Sequence, residues 1–164
     1  MLIRNMGLFW KRADVFWGRP KNKGALKGIK RSAKRGDAID FWEQSGVYAL
    51  YANYRLVYVG QAGRGNKRLG SRLRKHTRDD LAGRWDTFSW FGLHDVTTGG
   101  VLSGTAVNRS AKANEILDIV EGILIAAAEP PLNRQGGRFG DGVDRYLQVR
   151  DARLDVAVTE PVTG

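Results

Sequence analysis

Hydrophobic and polar residues follow a strand-like pattern in the middle of the chain. Two short runs, Gly46–Tyr51 and Leu56–Gly60, are rich in β-branched and aromatic residues, and the polar segment Ala52–Arg55 separates them. This pattern predicts a β-hairpin with a loop of about four residues. The aromatic segment Asp86–Gly92 predicts a third strand beside the hairpin.

Two helices are predicted after the hairpin. A basic helix from Asn66 to about Asp80 places Arg68, Arg72 and His76 four residues apart, and therefore on one helical face. Residues 111–129 repeat apolar side chains with the period of a buried helix. Two prolines follow this segment and end the helix.

One acidic residue in the second helix is expected to be buried. On the helical wheel, Glu121 falls between Leu117 and Ile125, inside the apolar arc. A carboxylate in such surroundings costs several kcal/mol unless a cation or hydrogen-bond donors meet it. The pattern therefore predicts either an ion pair with an arginine at the edge of the core or a bound divalent metal ion.

The charge of the chain indicates a polyanionic partner. The formal net charge is +10, and residues 1–45 alone hold 11 Lys and Arg against 4 Asp and Glu. Gly18–Gly36 is basic and rich in glycine, and is expected to be a flexible arm that becomes ordered on a phosphate backbone; a solvated charged face is the alternative. The residues expected to bind nucleic acid are Lys21, Lys23, Lys27, Lys30, Arg31, Lys34, Arg35 and Arg68.

Composition excludes several classes of protein. The chain has no cysteine, which excludes disulfides and thiolate metal sites, and its two histidines cannot form a typical structural zinc site alone. The apolar run Ile116–Ala128 is too short to span a membrane and contains two acidic residues. No N-terminal run has the length of a signal peptide. We therefore expect a soluble, cytoplasmic protein without a membrane partner.

Five sequence elements, in order, resemble the motifs of the GIY-YIG nucleases. They are Gly46-Val47-Tyr48, Tyr58-Val59-Gly60, Arg72, Glu121 and Asn133. The resemblance covers about half of the chain, and the spacings from Arg72 to His76 and from Glu121 to Asn133 are most similar to the restriction-endonuclease branch. Gln61 departs from the excision-repair members, which often carry lysine at that position.

The resemblance implies a fold and a domain organisation. The expected fold is a small α/β (α+β) domain, in which helices flank a three-stranded antiparallel sheet. Residues 46–136 would form this nuclease domain. Residues 1–45 would be a basic N-terminal arm that contains aromatic residues, and residues 137–164 a C-terminal extension with a disordered end.

The resemblance also implies a metal-dependent endonuclease that hydrolyses DNA phosphodiester bonds. Glu121 would bind Mg²⁺ or Mn²⁺, and Arg72 would neutralise charge in the transition state. Tyr48 would help to activate water while Tyr58 orients it, although the reverse assignment is open. A phenol is a weak base at neutral pH, so His76 is either the base itself or a proton relay.

Asn133 would organise the site by hydrogen bonding; the alternative is an ordinary turn residue. Single- and double-stranded DNA both remain open as substrates, and cleavage of both strands requires a homodimer or sequential nicking. Two other functions are considered. One is a non-catalytic nucleic-acid-binding module of the same fold, and the other is a basic RNA-binding protein.

Overall fold

A computed structural model describes residues 2–33, 36–106, 113–133, 136, 139 and 142–156 of the chain. The strands are β1 (Asn5–Lys11), β2 (Phe16–Arg19), β3 (Asn22–Ala25), β4 (Lys27–Lys30), β5 (Ile39–Asp40), β6 (Gly46–Ala52), β7 (Arg55–Ala62), β8 (Thr87–Gly92), β9 (His94–Val96), β10 (Leu102–Ala106) and β11 (Asp144–Gln148). The α-helices in the described part of the chain are α1 (Leu69–Lys75) and α2 (Ala113–Ala128). Neither has the length and apolar character needed to cross a membrane.

A seven-stranded mixed sheet forms the centre of the molecule, so the predicted three-stranded fold is wrong. The strand order is β5-β4-β11-β1-β8-β6-β7, and two further pairs, β2-β3 and β9-β10, form separate two-stranded sheets. The three predicted strands, β8, β6 and β7, lie together at one end. The other four come from residues 5–40 and 144–148, where β1 pairs with β11 in parallel. This pairing joins opposite ends of the sequence, and no local sequence pattern predicts it.

The basic segment Gly18–Gly36 contributes strands to this architecture rather than a free arm. Its described residues include the end of β2 and all of β3 and β4, and β4 pairs with β11. Leu26 is fully buried, and its carbonyl accepts a hydrogen bond from the Phe41 N–H at 2.8 Å. Lys34 and Arg35 lie outside the described residues, as do residues 157–164 of the C-terminal end that is predicted to be disordered.

The β6–β7 hairpin is confirmed, but its turn is shorter than predicted. Ala52 pairs with Arg55, so that two residues, Asn53 and Tyr54, form the turn. Both have positive φ angles, 49° and 63°, as in a type I′ turn, whose twist matches that of the flanking strands. The register places Tyr48 opposite Gly60.

The two helices pack on opposite faces of the sheet, because successive residues of a strand point to opposite sides. Tyr48 belongs to one apolar cluster together with Leu69 and Leu73 of α1. Tyr51, three residues along the same strand, belongs to a second cluster that includes residues of α2, and its hydroxyl donates to the Ala127 carbonyl at 2.6 Å. Side chains on the α1 face are thereby separated from α2 by the sheet.

The first N–H groups of helix α1 donate hydrogen bonds to the backbone of the segment that precedes β6. The N–H groups of Leu69 and Gly70 donate to the carbonyls of Gln44 and Trp42, at 2.8 and 2.9 Å. A Cβ atom at Gly70 would lie 2.0 Å from the Trp42 ring, so glycine permits this close approach. The helix ends at Lys75, with His76 as its C-cap, and is therefore shorter than predicted.

Candidate functional site

Four of the six predicted catalytic residues converge on the α1 face of the sheet. The Tyr48 hydroxyl lies 2.9 Å from His76 Nε2. The ring of Tyr58 lies 6.3 Å from that of Tyr48 and 5.0 Å from that of His76, measured between centroids. Arg72, one turn before His76, interacts with the Tyr48 phenol. These four residues and Asp79, which contacts His76, form the tyrosine–histidine cluster.

Asp79 extends the cluster by one hydrogen bond. Its Oδ2 atom lies 2.8 Å from His76 Nδ1. A carboxylate oxygen only accepts, so Nδ1 carries the proton and donates, which leaves Nε2 to accept from the Tyr48 hydroxyl. The Leu81 backbone N–H donates to Oδ1, and this bond, followed by His76, lowers the Asp79 pKa. Asp79 therefore remains ionised and fixes the tautomer of His76.

The Tyr48 phenol is held in its protonated form. Burial raises its pKa above the ordinary value, although the neighbouring Arg72 opposes the shift. Tyr48 has no exposed surface and His76 is 4% exposed, whereas Tyr58 and Arg72 are half-buried. Solvent therefore reaches the cluster through its half-buried members Tyr58, Arg72 and Asp79, and Tyr48 can pass a proton on but cannot serve as a phenolate base.

The Arg72 guanidinium carries a buried N–H without a partner. Its Nε atom is inaccessible to solvent and makes no hydrogen bond within the described part of the chain. A buried donor left unpaired costs about 1–3 kcal/mol, and an external acceptor can reach Arg72 only at the exposed part of its half-buried side chain. Phosphate oxygens are suitable acceptors for a guanidinium.

The glycine of the second motif makes room for the buried tyrosine. A Cβ atom at Gly60 would lie 2.4 Å from the Tyr48 hydroxyl oxygen, closer than nonbonded atoms approach. The cross-strand pairing of Gly60 with Tyr48 explains this proximity. The spacing of the two motifs therefore has a steric basis in the hairpin itself.

A second set of polar side chains, Ser45 and His94, positions Arg68 at the start of α1. Arg68 Nη1 donates to the Ser45 hydroxyl oxygen at 2.8 Å, and that hydroxyl lies 3.1 Å from His94 Nε2. His94 Nδ1 lies 2.7 Å from the Ser103 carbonyl and donates to it, so Ser45 donates to Nε2. His94 itself is buried in β9.

Glu121 and Asn133 do not join the tyrosine–histidine cluster. Glu121 is exposed, so the prediction that it is buried is wrong, and it lies on α2, across the sheet from Tyr48. Helix α2 buries Ile119 and Ala127, and the arc around Glu121 faces outward. Asn133 is also exposed, and lines a surface cavity of about 510 Å³ with Glu121.

The residues present do not fit a metal ion held by Glu121 beside the tyrosines. Among the residues that the structure describes, no group of three or more His, Asp or Glu side chains could hold a metal ion. The carboxylate of the cluster, Asp79, already accepts hydrogen bonds from His76 and Leu81. Glu121 and Asp118 line one cavity, which lies on the face of the sheet opposite to the tyrosines.

Three of the predicted nucleic-acid-binding lysines form ion pairs within the molecule. Lys23 pairs with Glu43, Lys27 Nζ lies 3.6 Å from Asp151 Oδ2, and Lys30 Nζ lies 3.0 Å from Asp144 Oδ2. These contacts offset charge that would otherwise attract phosphate. Lys21 and Arg31 are exposed.

The sequence analysis missed a basic surface next to the cluster. Arg74, Lys75 and Arg78 line a cavity of about 330 Å³ together with Ser71 and Asp79. The three basic side chains recur at helical spacing through the end of α1, which is a signal visible in the sequence. This surface lies beside the tyrosine–histidine cluster, because Asp79 belongs to both.

Comparisons of the chain with protein families, curated proteins and solved structures find no match.

Proposed function

We propose that this protein is a cytoplasmic endonuclease that hydrolyses DNA phosphodiester bonds at the tyrosine–histidine cluster. The observation that carries the proposal is the hydrogen-bonded series Asp79–His76–Tyr48, which lies beside the unpartnered Nε of Arg72. The resemblance of the hairpin motifs and of Arg72 to the GIY-YIG nucleases supports the same reaction. The net charge of +10 favours a polyanionic substrate.

The proposed step transfers one proton along the cluster. A water molecule attacks phosphorus and gives its proton to the half-buried Tyr58, while Tyr58 passes its own proton to Tyr48 and Tyr48 passes its proton to His76 Nε2. The resulting imidazolium is paired with the Asp79 carboxylate. The bond from phosphorus to the 3′ oxygen breaks, and that oxygen takes a proton from solvent. Arg72 offsets the charge that develops on the phosphoryl oxygens.

Dependence on Mg²⁺ or Mn²⁺ remains a prediction of the family resemblance. No step is assigned to the metal ion, because Glu121 lies across the sheet from the tyrosines. Parallel reactions with Mg²⁺, with Mn²⁺ and with EDTA test this requirement directly.

The proposal is tested with plasmid, single-stranded DNA and RNA substrates, and with two matched pairs of variants. Tyr58→Phe should reduce cleavage by about 10²-fold or more, and Arg72→Ala by about 10²–10³-fold. Tyr54→Phe, which changes an 83% exposed tyrosine, and Arg84→Ala should retain full activity. Equal activity of Tyr58→Phe and Tyr54→Phe would contradict the relay. Nicked plasmid before linear plasmid indicates sequential cleavage, whereas linear plasmid at once indicates a homodimer.

A non-catalytic nucleic-acid-binding module is the second candidate. Two observations favour it: Tyr48 has no exposed surface, and Glu121 lies on the face opposite to the cluster. This function predicts retention of DNA in a gel-shift assay without any product under any metal condition. Preference for structured RNA in the same assay would instead favour the RNA-binding alternative.

A further inference from the structure

A cavity of about 600 Å³ lies on the α2 face of the molecule, across the sheet from the tyrosine–histidine cluster. It is called the arginine cavity here. Two arginines, Arg31 and Arg145, line one part of it. The segment that follows α2, including Pro130 and Pro131, lines another part. Its volume falls in the range of sites that hold small organic ligands, roughly 300–1,000 Å³.

The two arginines are held close together by the backbone. The Arg31 N–H donates to the Arg145 carbonyl at 2.8 Å. Arg145 Nε is buried and, within the described residues, makes no hydrogen bond. Burial lowers the Arg145 pKa, and repulsion from Arg31 lowers it further. The attraction of Glu129 raises the pKa, but this effect is the smallest of the three. Among the described residues that line the cavity, two cations face one exposed carboxylate, which leaves a local excess of positive charge and an unused donor.

The rest of the lining is largely apolar. Met6 and Leu8 of β1 line the cavity together with Ile125 of α2. Phe139 also lines it, and is fixed by stacking on Phe91, with 5.8 Å between ring centroids. These side chains would exclude water from an apolar group and thereby strengthen hydrogen bonds made by the arginines.

We propose that the arginine cavity binds a small organic anion in which a phosphate or carboxylate group is joined to an apolar or aromatic body. The oxyanion accepts hydrogen bonds from the guanidinium groups of Arg145 and Arg31, and the body packs on Met6, Leu8 and Phe139. A planar guanidinium suits both phosphate and carboxylate oxygens. This site is independent of the proposed nuclease reaction, because its residues lie on the other face of the sheet.

The test is an NMR titration of the ¹⁵N-labelled full chain with phenyl phosphate. Hexanoate tests the carboxylate form, inorganic phosphate tests the anion alone, and phenol tests the aromatic body alone. We expect saturable shifts of the Met6, Leu8, Arg31 and Arg145 amides with phenyl phosphate or hexanoate. Inorganic phosphate and phenol should bind about tenfold more weakly than phenyl phosphate, because each supplies half of the contacts.

Matched variants assign the site. Arg145→Gln should weaken phenyl phosphate binding about tenfold, whereas Arg84→Gln, which removes the same charge from an exposed position, should leave it unchanged. Glu129→Gln should strengthen binding about threefold, since it removes the opposing carboxylate. If Arg145→Gln loses spectral dispersion, Arg31→Gln takes its place, because Arg31 is exposed. No saturable shift, shifts confined to α1, or unchanged affinity in the folded arginine variant would overturn the proposal.

Discussion

The arrangement of the tyrosine–histidine cluster depends on the orientation of one imidazole ring. His76 contacts Asp79 through Nδ1 and Tyr48 through Nε2. Because the Asp79 carboxylate holds the ring proton on Nδ1, Nε2 is left to accept a hydrogen bond from Tyr48. His76 caps the C-terminal end of α1 and Asp79 follows three residues later, so one short segment supplies both members of the His76–Asp79 pair. In the proposed reaction Asp79 is therefore a positioning residue, which acts through His76 rather than on the substrate.

Replacing Asp79 with asparagine tests this positioning role. The amide can offer either an oxygen or an NH₂ group to Nδ1, so the tautomer of His76 is no longer fixed. We expect DNA cleavage by Asp79→Asn to fall at least about tenfold. Long-range ¹H–¹⁵N spectra should show Nδ1 protonated in the wild type and a mixture of tautomers in the variant.

The neighbouring substitution Asp80→Asn is the matched control, because Asp80 is exposed and one residue away. It should change neither the rate of cleavage nor the tautomer. An Asp79→Asn variant with the wild-type tautomer and the wild-type rate would eliminate the positioning role.

At the level of single residues, the sequence predicted proximity better than burial. Strand pairing and helical spacing brought Tyr48, Tyr58, Arg72 and His76 together, because both are local regularities. Asp79 was missed, although its i, i+3 spacing from His76 was available. Glu121 was misplaced, since a helical wheel identifies an apolar arc but does not tell which arc faces the sheet.

At the level of elements, α2 has more apolar surface than the sheet covers. Ile119 is 4% exposed and Ala127 is 7% exposed, whereas Leu117 and Leu124 are 66% and 60% exposed. The helix therefore touches the sheet along a narrow line. Its contact is fixed at the C-terminal end, where the Tyr51 hydroxyl reaches the Ala127 carbonyl.

Two alanine substitutions in α2 test which face is buried. Ile119→Ala should lower the free energy of unfolding by about 2–4 kcal/mol, because it leaves a cavity against the sheet. Leu124→Ala, on the exposed side, should change it by less than about 0.5 kcal/mol. Urea denaturation followed by tryptophan fluorescence measures both values. The opposite order would mean that Leu124 and the arc around Glu121 face the core.

The hairpin shows where a local pattern suffices. The alternation of residues in β6 and β7 predicted both strands, but the loop length was wrong by two residues. Asparagine, here Asn53, is a common residue at positive φ. Tyrosine, here Tyr54, is unusual at the second position of a type I′ turn. The sequence therefore predicted a longer loop that included Tyr54.

At the level of the whole molecule, the sheet is assembled from both ends of the chain. Strand β1 lies between β8 and β11, so that residues 5–11 contact residues 87–92 and 144–146. The glycine- and lysine-rich composition of β3 and β4 resembles that of a flexible arm. These strands form because Leu26 and Tyr146 are buried in the common core, which is information that only the tertiary structure holds.

The distribution of basic residues predicts a difference between two lysines in DNA binding. Lys75 is exposed on the basic surface of α1, whereas Lys30 is paired with Asp144. Each phosphate contact contributes about 0.9 to the slope of log K against log salt concentration for duplex DNA. Lys75→Gln should therefore lower the slope by about 0.9, and Lys30→Gln by less than half of that. Fluorescence anisotropy over a salt series measures both slopes, and equal decreases would contradict the role of the ion pair.

The C-terminal segment contains a buried carboxylate, Asp151, which predicts a defined loss of stability in acid. Asp151 is 1% exposed and accepts two hydrogen bonds from the Arg153 guanidinium, at 2.7 and 2.9 Å. These bonds, helped by Lys27, lower the Asp151 pKa from 3.8 to about 2. Because the folded-state pKa is the lower one, this contribution is fully present above pH 4 and disappears as the pH falls through about 2.

A pKa difference of this size corresponds to about 2 kcal/mol of stability at neutral pH. We expect Asp151→Asn to lower the melting temperature at pH 7, and to lose less stability than the wild type between pH 4 and pH 2. Asp155→Asn is the control, because that carboxylate is exposed. Thermal unfolding followed by circular dichroism over this pH range measures the difference. Parallel acid curves for the wild type and Asp151→Asn would show that the ion pair between Asp151 and Arg153 does not stabilise the folded chain.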